Sequence, residues 1–406
     1  MKEKHPLLIS LAALAILLAG LFFSTEKMQA QTETVLYSFP GGRHGNTPAG
    51  GLVEDSKGRF YGTTVDGGLL SACGGFGCGV VYKVSPTGVE SVLQRFTGGA
   101  DGANPRGDLV RSASGNLYGT KQFGGSGNLC YEGCGTVFEV TPLGAVTVLY
   151  SFTGLKDGGN SAAGLIKDAN GNLYGTTVNG GGFGWGAVFK ITPAGKETVL
   201  HSFSGGTDGA SPYAGLIMDA NGNIYGTTSG TQSGYGDVNG NVFKLTPTGT
   251  ETVLYTFSGG ADGANPVAGL VEDANGNLYG TTEYGGDLSL CSGFGCGVAF
   301  EITAAGTYTV LHRFGAGTDG RLPLAGLVVD AAGNLYGTTN LGGTSFSGTV
   351  FEITPSGTES LLYSFTGGVD GAFPFAGLLR DAKGNLYGTT FGGGALGNGT
   401  VFKLVP

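Results

Sequence analysis

Apolar positions in this chain fall in short bursts, separated by turns rich in Gly, Asp, Asn and Pro. Residues 324–365 show the pattern: LAGLVVDAAGNLYGTTNLGGTSFSGTVFEITPSGTESLLYSF. AGLVVD is brief and apolar, and D-A-A-G-N supplies a turn in which Asp starts and Gly allows a positive φ. LYGTT follows, then a glycine-rich loop. GTVFEI alternates, with Phe351 and Ile353 on one face and Val350 and Glu352 on the other. T-P-S-G makes the next tight turn, and ESLLYSF is a fourth strand.

This unit recurs. Tyr-Gly-Thr appears at Tyr61, Tyr118, Tyr174, Tyr225, Tyr279, Tyr336 and Tyr387, at steps of 51 to 57 residues. Four antiparallel strands in a unit of that length describe one blade of a β-propeller, and seven units fall within the usual range of blades. A β-helix coil is much shorter, and solenoid repeats of this size are helical. The expected fold is therefore all-β, a seven-bladed propeller of four-stranded antiparallel blades. The ends agree with it. Glu33–Phe39 is a fourth strand with no blade before it, and 399–406 is a third strand with no fourth strand after it. The N-terminal strand is expected to complete the last blade and close the ring.

Composition narrows the reading. The 406 residues include 83 glycines, 24 phenylalanines and 17 tyrosines, with 13% charged. Glycine at that level argues against a helical protein, and the aromatics argue against a disordered one. The net charge of −9 offers no basic stripe for a phosphate backbone, which excludes nucleic acid as the expected partner. Lys2 and Lys4 precede an apolar run from Pro6 to Phe23, and a polar stretch ends at Ala30. This describes a signal peptide over 1–30, cleaved near Ala30, with an uncleaved anchor as the rival. Residues 31–406 are then one propeller domain, exported to the periplasm or medium and not inserted in a membrane. A monomer is expected.

The runs GNLYGTT at 171–177, GNVFKLTP at 240–247 and LLYSFTGG at 361–368 resemble the GloVer-type tandem repeat of exported bacterial proteins. The resemblance covers essentially the whole mature chain. It implies export and a repeat fold but no established chemistry, so function has to be argued from sites. Members of that family often end in a C-terminal surface anchor. This chain ends at Pro406 directly after a strand, from which release is expected.

Strand direction places the D-x-x-G-N and T-P-x-G turns at one uniform end of each sheet. The glycine-rich loops and the fourth-to-first connections lie at the other, variable end, where binding residues are expected. Asp101, Asp157, Asp208, Asp262, Asp319 and Asp370 recur there before Gly; six copies favour turn capping over a cation ring. The same argument assigns Asp168 and its equivalents in D-x-x-G-N to turns, since the pattern departs from a calcium loop. No metal and no cofactor are expected.

Residues that break the repeat carry more information. Unit two reads PRGDLVRS where unit five reads PVAGLVED. Arg106 stands where other units have Ala49, Ala162, Tyr213, Val267, Leu324 and Phe375, and Asp108 replaces Gly. These positions precede the innermost strand, so Arg106, Asp108, Tyr213 and Phe375 are expected to rim the channel mouth as a mixed polar and aromatic site. A surface ion pair between Arg106 and Asp108 is the structural alternative. Trp185 and Tyr235, on the outer loops, are candidates for stacking on sugar rings or for ordering the loops. Cys73 with Cys78, Cys130 with Cys134 and Cys291 with Cys296 each fall in one loop, and export with local pairing predicts three disulfides.

No nucleophile with a base, and no isolated carboxylate pair, stands out. His201 and His312 fall in outer strands. The expected function is a non-catalytic binding or scaffold propeller recognising carbohydrate or a cell-surface component. The alternatives are a polysaccharide- or lactone-acting enzyme using the same mouth, and a purely structural surface protein.

Overall fold

A computed structural model describes residues 31–230, 239–315 and 317–406. The expected signal segment and Tyr235 lie outside the described residues. The chain builds seven four-stranded antiparallel sheets, six of them from consecutive strands. Blade 1 spans 53–95, blade 2 110–151, blade 3 166–202, blade 4 217–256, blade 5 271–313 and blade 6 328–364. Blade 7 joins 379–405 to 32–38. The seven-bladed all-β propeller expected from the repeat is the fold observed.

Blade 6 shows how the unit is built. Its strands are Val328–Val329, Leu335–Thr339, Thr349–Ile353 and Glu359–Ser364, from the channel outward. The third strand buries both faces: Phe351 packs toward blade 5 beside Phe314, and Val350 toward blade 7 beside Phe365. Each fourth strand ends in an aromatic that meets the third strand of the next blade. Phe96–Phe138, Phe152–Phe189, Phe203–Phe243, Phe257–Phe300, Phe314–Phe351, Phe365–Phe402 and Phe39–Tyr82 bring ring centroids to 5.0–5.3 Å. Such pairs contribute about 0.5–1.5 kcal/mol beyond their buried area, one at every seam. The glycine of Tyr-Gly-Thr follows from this packing: a Cβ on Gly337 would lie 2.5 Å from Phe351 Cζ.

Thr32–Ser38 pairs antiparallel with Thr400–Val405 and closes the ring as expected. Val35 faces Phe402 and Tyr37 faces Val401, so Leu36 is an extra, bulged residue. The same bulge falls at Leu362 in blade 6, between the Val350–Tyr363 and Phe351–Leu361 pairs. Bulges bend and twist the outer strand.

The uniform end is held by its aspartates. Asp168 accepts hydrogen bonds from the Asn172 backbone N–H (2.8 Å), Asn172 Nδ2 (2.7 Å) and the Tyr174 hydroxyl (3.0 Å). Burial works against its charge, but these donors hold its carboxyl below the usual range. The tyrosine of Tyr-Gly-Thr is therefore the lid of this turn. In blade 2, where Ser112 replaces the Asp, the Tyr118 hydroxyl turns to Glu139 instead. The Asp-Gly pairs at the other end are turn caps too: Asp157 accepts from Thr153 N–H and Oγ1, and Asp370 from Thr366 in the same way.

Candidate functional site at the channel mouth

At the variable end, each connection into a blade is pinned by one residue in the left-handed region: Thr47, Asn104, Asn160, Ser211, Asn265, Leu322 and Phe373, all with φ between 52° and 59°. Asn104 N–H donates to the Cys78 carbonyl, Ser211 N–H to that of Trp185 and Phe373 N–H to that of Ser347. The acceptor position holds Cys78, Cys134, Trp185, Asn239, Cys296, Ser347 or Asn398, according to the blade. All three disulfides are present, Cys73–Cys78, Cys130–Cys134 and Cys291–Cys296. Trp185 thus occupies in blade 3 the place a disulfide cysteine fills in blades 1, 2 and 5. Its indole lies against Gly205 much as the Cys73–Cys78 sulfurs lie against Gly98. It is half-buried and packs on the seam between blades 3 and 4.

Two residues beyond each left-handed position, the chain turns down into the channel. Arg106, Tyr213, Val267, Leu324 and Phe375 converge there with Trp185, Gln122 and Glu283 around a cavity of about 620 Å³. The structure brings together four of the residues that the broken repeat singled out. Tyr213 and Phe375 are 44% and 37% exposed, so their rings are open to a ligand. Arg106 is exposed, and no ion pair or side-chain hydrogen bond occupies it among the described residues. Gln122 carries a buried Oε1 with no hydrogen-bond partner among them. Glu283 accepts from Asn265 Nδ2; burial raises its carboxyl above the usual range, against the hydrogen bonds from Tyr284 and Asn265.

Asp108 is placed differently from the other candidates. It stands deeper, among the inner strands lining the channel, and its Oδ1 accepts the Gly51 backbone N–H at 2.5 Å. The corresponding residue is Gly in the other six units, and here the side chain fits between Gly51 and Gly164 of the neighbouring blades. Its side chain is exposed to the channel, and the ring of blades around it raises its carboxyl against the Gly51 bond. The Arg106–Asp108 ion pair weighed from the sequence is absent from the described contacts. Asp108 braces the inner ring and Arg106 faces the mouth alone.

Lys121 had not been singled out, and His312, read only as an outer-strand residue, has neighbours that the sequence did not reveal. Lys121 replaces the second Thr of the Tyr-Gly-Thr-Thr run in blade 2 and is fully buried. Its Nζ lies 3.8 Å and 4.5 Å from the ring centres of Phe96 and Phe138 and donates to the Asp101 carbonyl. Burial lowers it to about 7, with Asp101 opposing. The motif Tyr-Gly-Thr stops at Thr120, which is why the next residue escaped notice. His312, in the outer strand of blade 5, bonds Asp319 at 3.0 Å, and with Glu359 of blade 6 their ligating atoms lie within 4.8 Å of one another. Blade 3 uses His201 with Asp208 at the same seam position, blade 1 has Gln94 there, and the other blades use Tyr, as in Tyr150–Asp157 and Tyr363–Asp370.

A larger cleft of about 840 Å³ lies beside the Cys73–Cys78 loop and is lined by Asp66, Phe76, Phe123 and Glu132. It is formed by the loops of blades 1 and 2 alone and holds no unpaired cation. The mouth gathers residues from six blades and offers the more apolar walls expected of a small-molecule site.

Fold and site together define a repeat propeller with a polar-aromatic pocket over its channel. The chain belongs to the Gloeobacter/Verrucomicrobia repeat family, which matches residues 18–238 and 230–406. No curated protein matches the sequence. Among solved structures it is similar to the extracellular domain of a one component system from B. thetaiotaomicron. The TM-score is 0.56 and the identity 10%, over 92% of this chain and 40% of that one. PorZ, a surface component of the type-IX secretion system of Porphyromonas gingivalis, gives a TM-score of 0.50 and 15% identity over 89% and 47%. The chain spans less than half the length of either, and likeness at these identities is one of fold. No helix among the described residues is long and apolar enough to cross a membrane.

Proposed function

We propose that this protein is an exported, non-catalytic binding propeller that recognises carbohydrate at its channel mouth. The observation that carries the reading is the convergence of Arg106, Trp185, Tyr213 and Phe375 on one 620 Å³ cavity. Exposed aromatic faces stack on the apolar faces of sugar rings, while a few fixed polar groups orient the hydroxyls. Gln122 lines the same cavity, and its side-chain amide is a group that can serve hydroxyls as donor or acceptor. Three loop disulfides support export, as do the basic-then-apolar start of the sequence and the extracellular and surface placement named for the similar structures. Hydrolysis of a glycoside is less well supported: among the described residues Glu283 is the single carboxyl lining the cavity, and that chemistry uses two.

A glycan array probed with the protein lacking residues 1–30 tests the reading, followed by titration monitored through Trp185, the only tryptophan. Binding that quenches or shifts Trp185 emission, and that weakens at least tenfold in Tyr213→Ala and Phe375→Ala, is expected. Absence of any glycan ligand, or affinity indifferent to both substitutions, refutes it.

A further inference from the structure

We infer that the ligand of the mouth carries a carboxylate: the site is built for an acidic sugar, such as a uronate residue within a glycan. This rests on the carbohydrate reading and adds its charge class.

Arg106 carries the argument. Six units place Ala, Tyr, Val, Leu or Phe at this position, and unit two alone places a cation there. The natural internal partner two residues on, Asp108, is turned away to the Gly51 N–H. The nearby Asp66 acts on Arg106 only through its field; its own hydrogen bonds come from Thr47 and Asn104. A guanidinium so placed presents a planar fork of donors, which matches a carboxylate through two parallel hydrogen bonds. Among the described residues lining the pocket, Arg106 is the only cation.

The remaining walls fit the same ligand. Among the described residues Glu283 is the one lining group that would repel an anion. Asn265 holds its carboxyl and burial favours its neutral form, so it opposes a bound carboxylate less than an open glutamate would. Tyr213, Phe375 and Trp185 offer ring faces for the body of the sugar, and the Gln122 amide stands among them as a polar group. Positive charge thus enters the pocket at one point among the described lining residues. A ligand with one acid per sugar and a neutral carbon skeleton matches that layout better than a polyanion.

The test compares oligogalacturonate and glucuronoxylan oligosaccharides, each as free acid and as methyl ester, by calorimetry and Trp185 fluorescence. For at least one of the two sugars, the free acid is expected to bind at least tenfold more tightly than its ester. Arg106→Ala should weaken the acid about 10- to 150-fold, as loss of a charge-assisted hydrogen bond does, and leave the ester unchanged. Arg106→Lys should recover only part of the loss, because an ammonium lacks the fork. Thermal unfolding of both variants checks that the ring is intact. Equal binding of acid and ester, or an acid preference that survives in Arg106→Ala, overturns the inference while the carbohydrate reading stands. Failure of all four probes overturns the inference; the carbohydrate reading itself falls only if the neutral glycans of the array fail as well.

Discussion

Replacing Lys121 by Thr tests how the blades tolerate a buried ammonium. Six blades carry Thr here, and Thr64 and Thr282 donate to the carbonyl two residues on, that of Asp66 and of Tyr284. A threonine at 121 would find the equivalent acceptor on Phe123 and a neighbour in Thr136, as Thr339 finds Thr349 at 2.7 Å. In the unfolded chain the lysine keeps its proton to about pH 10.5, whereas in the blade it holds it only to about 7. The unfolded state therefore binds the extra proton between those limits, and the group's contribution to stability rises as pH climbs from 7 toward 10. At about 1.4 kcal/mol per tenfold in proton affinity, the ceiling over the whole shift is about 5 kcal/mol. Relaxation around the ammonium brings the expected value to about 2–4 kcal/mol. Loss of the lysine stem leaves space that costs about 1–3 kcal/mol at every pH. Lys121→Thr should therefore be near neutral at pH 7 and destabilising by a few kcal/mol at pH 9.5. Denaturant unfolding of both proteins at the two pH values reads the difference, and titration common to both cancels. A stability gap that is the same at pH 7 and pH 9.5 would show that the ammonium is not desolvated, and the reasoning fails.

Two other outcomes are expected. Burial, then the facing carboxylates of Asp370, Asp157 and Asp208, push Glu33, Glu197 and Glu251 up to about 7. The stability they contribute is full below about pH 4.5 and is lost as pH rises through about 7. The groups are partly solvated, so each loss is on the order of 1 kcal/mol. Glu197→Gln and Glu251→Gln should flatten the fall between pH 5 and 8, and an unchanged slope in both counts against facing carboxylates at the seams. Deleting residues 32–38 strips blade 7 of its outer strand and exposes the edge of Thr400–Val405, at a cost on the order of 3–5 kcal/mol from lost apolar contact. An unaltered melting temperature would refute closure by that strand.

The repeat made the strands, the turns and the closing pair legible, because each is local chemistry copied seven times. Alternation in GTVFEI, Asp and Gly in the turns, and a fourth strand stranded at residue 33 all carry their meaning within a few residues. The loop disulfides were equally local. What sequence reading missed depends on contacts between units. Tyr174 looked like a strand aromatic, yet its hydroxyl caps the Asp168 turn six residues back. Asp108 looked like a partner for Arg106, but the neighbouring blade brings Gly51 N–H closer. Trp185 was open between stacking on sugar and ordering the loops, and only alignment of the blades shows that it stands in a disulfide cysteine's place. The mouth was partly foreseen, since Arg106, Tyr213 and Phe375 share one position in the unit. Gln122 and Glu283 were not, because their loops give no sign of which side chain faces the axis.

The joint between Thr32–Ser38 and Thr400–Val405 differs from the other six outer pairs only in lacking a connecting turn. It has the same antiparallel register and a bulge at the equivalent leucine. The circle of ladders therefore has no privileged opening: the covalent break falls at an outer pair bonded like the other six. A circular permutant that joins Pro406 to residue 31 through a short tight turn, and opens instead at the exposed T-P-S-G turn of blade 6, keeps every ladder bond of the wild type. In such a molecule the termini move around the rim while the pocket over the channel stays where it is. The ring can be attached to a surface or a fused domain at a chosen blade without turning its binding face.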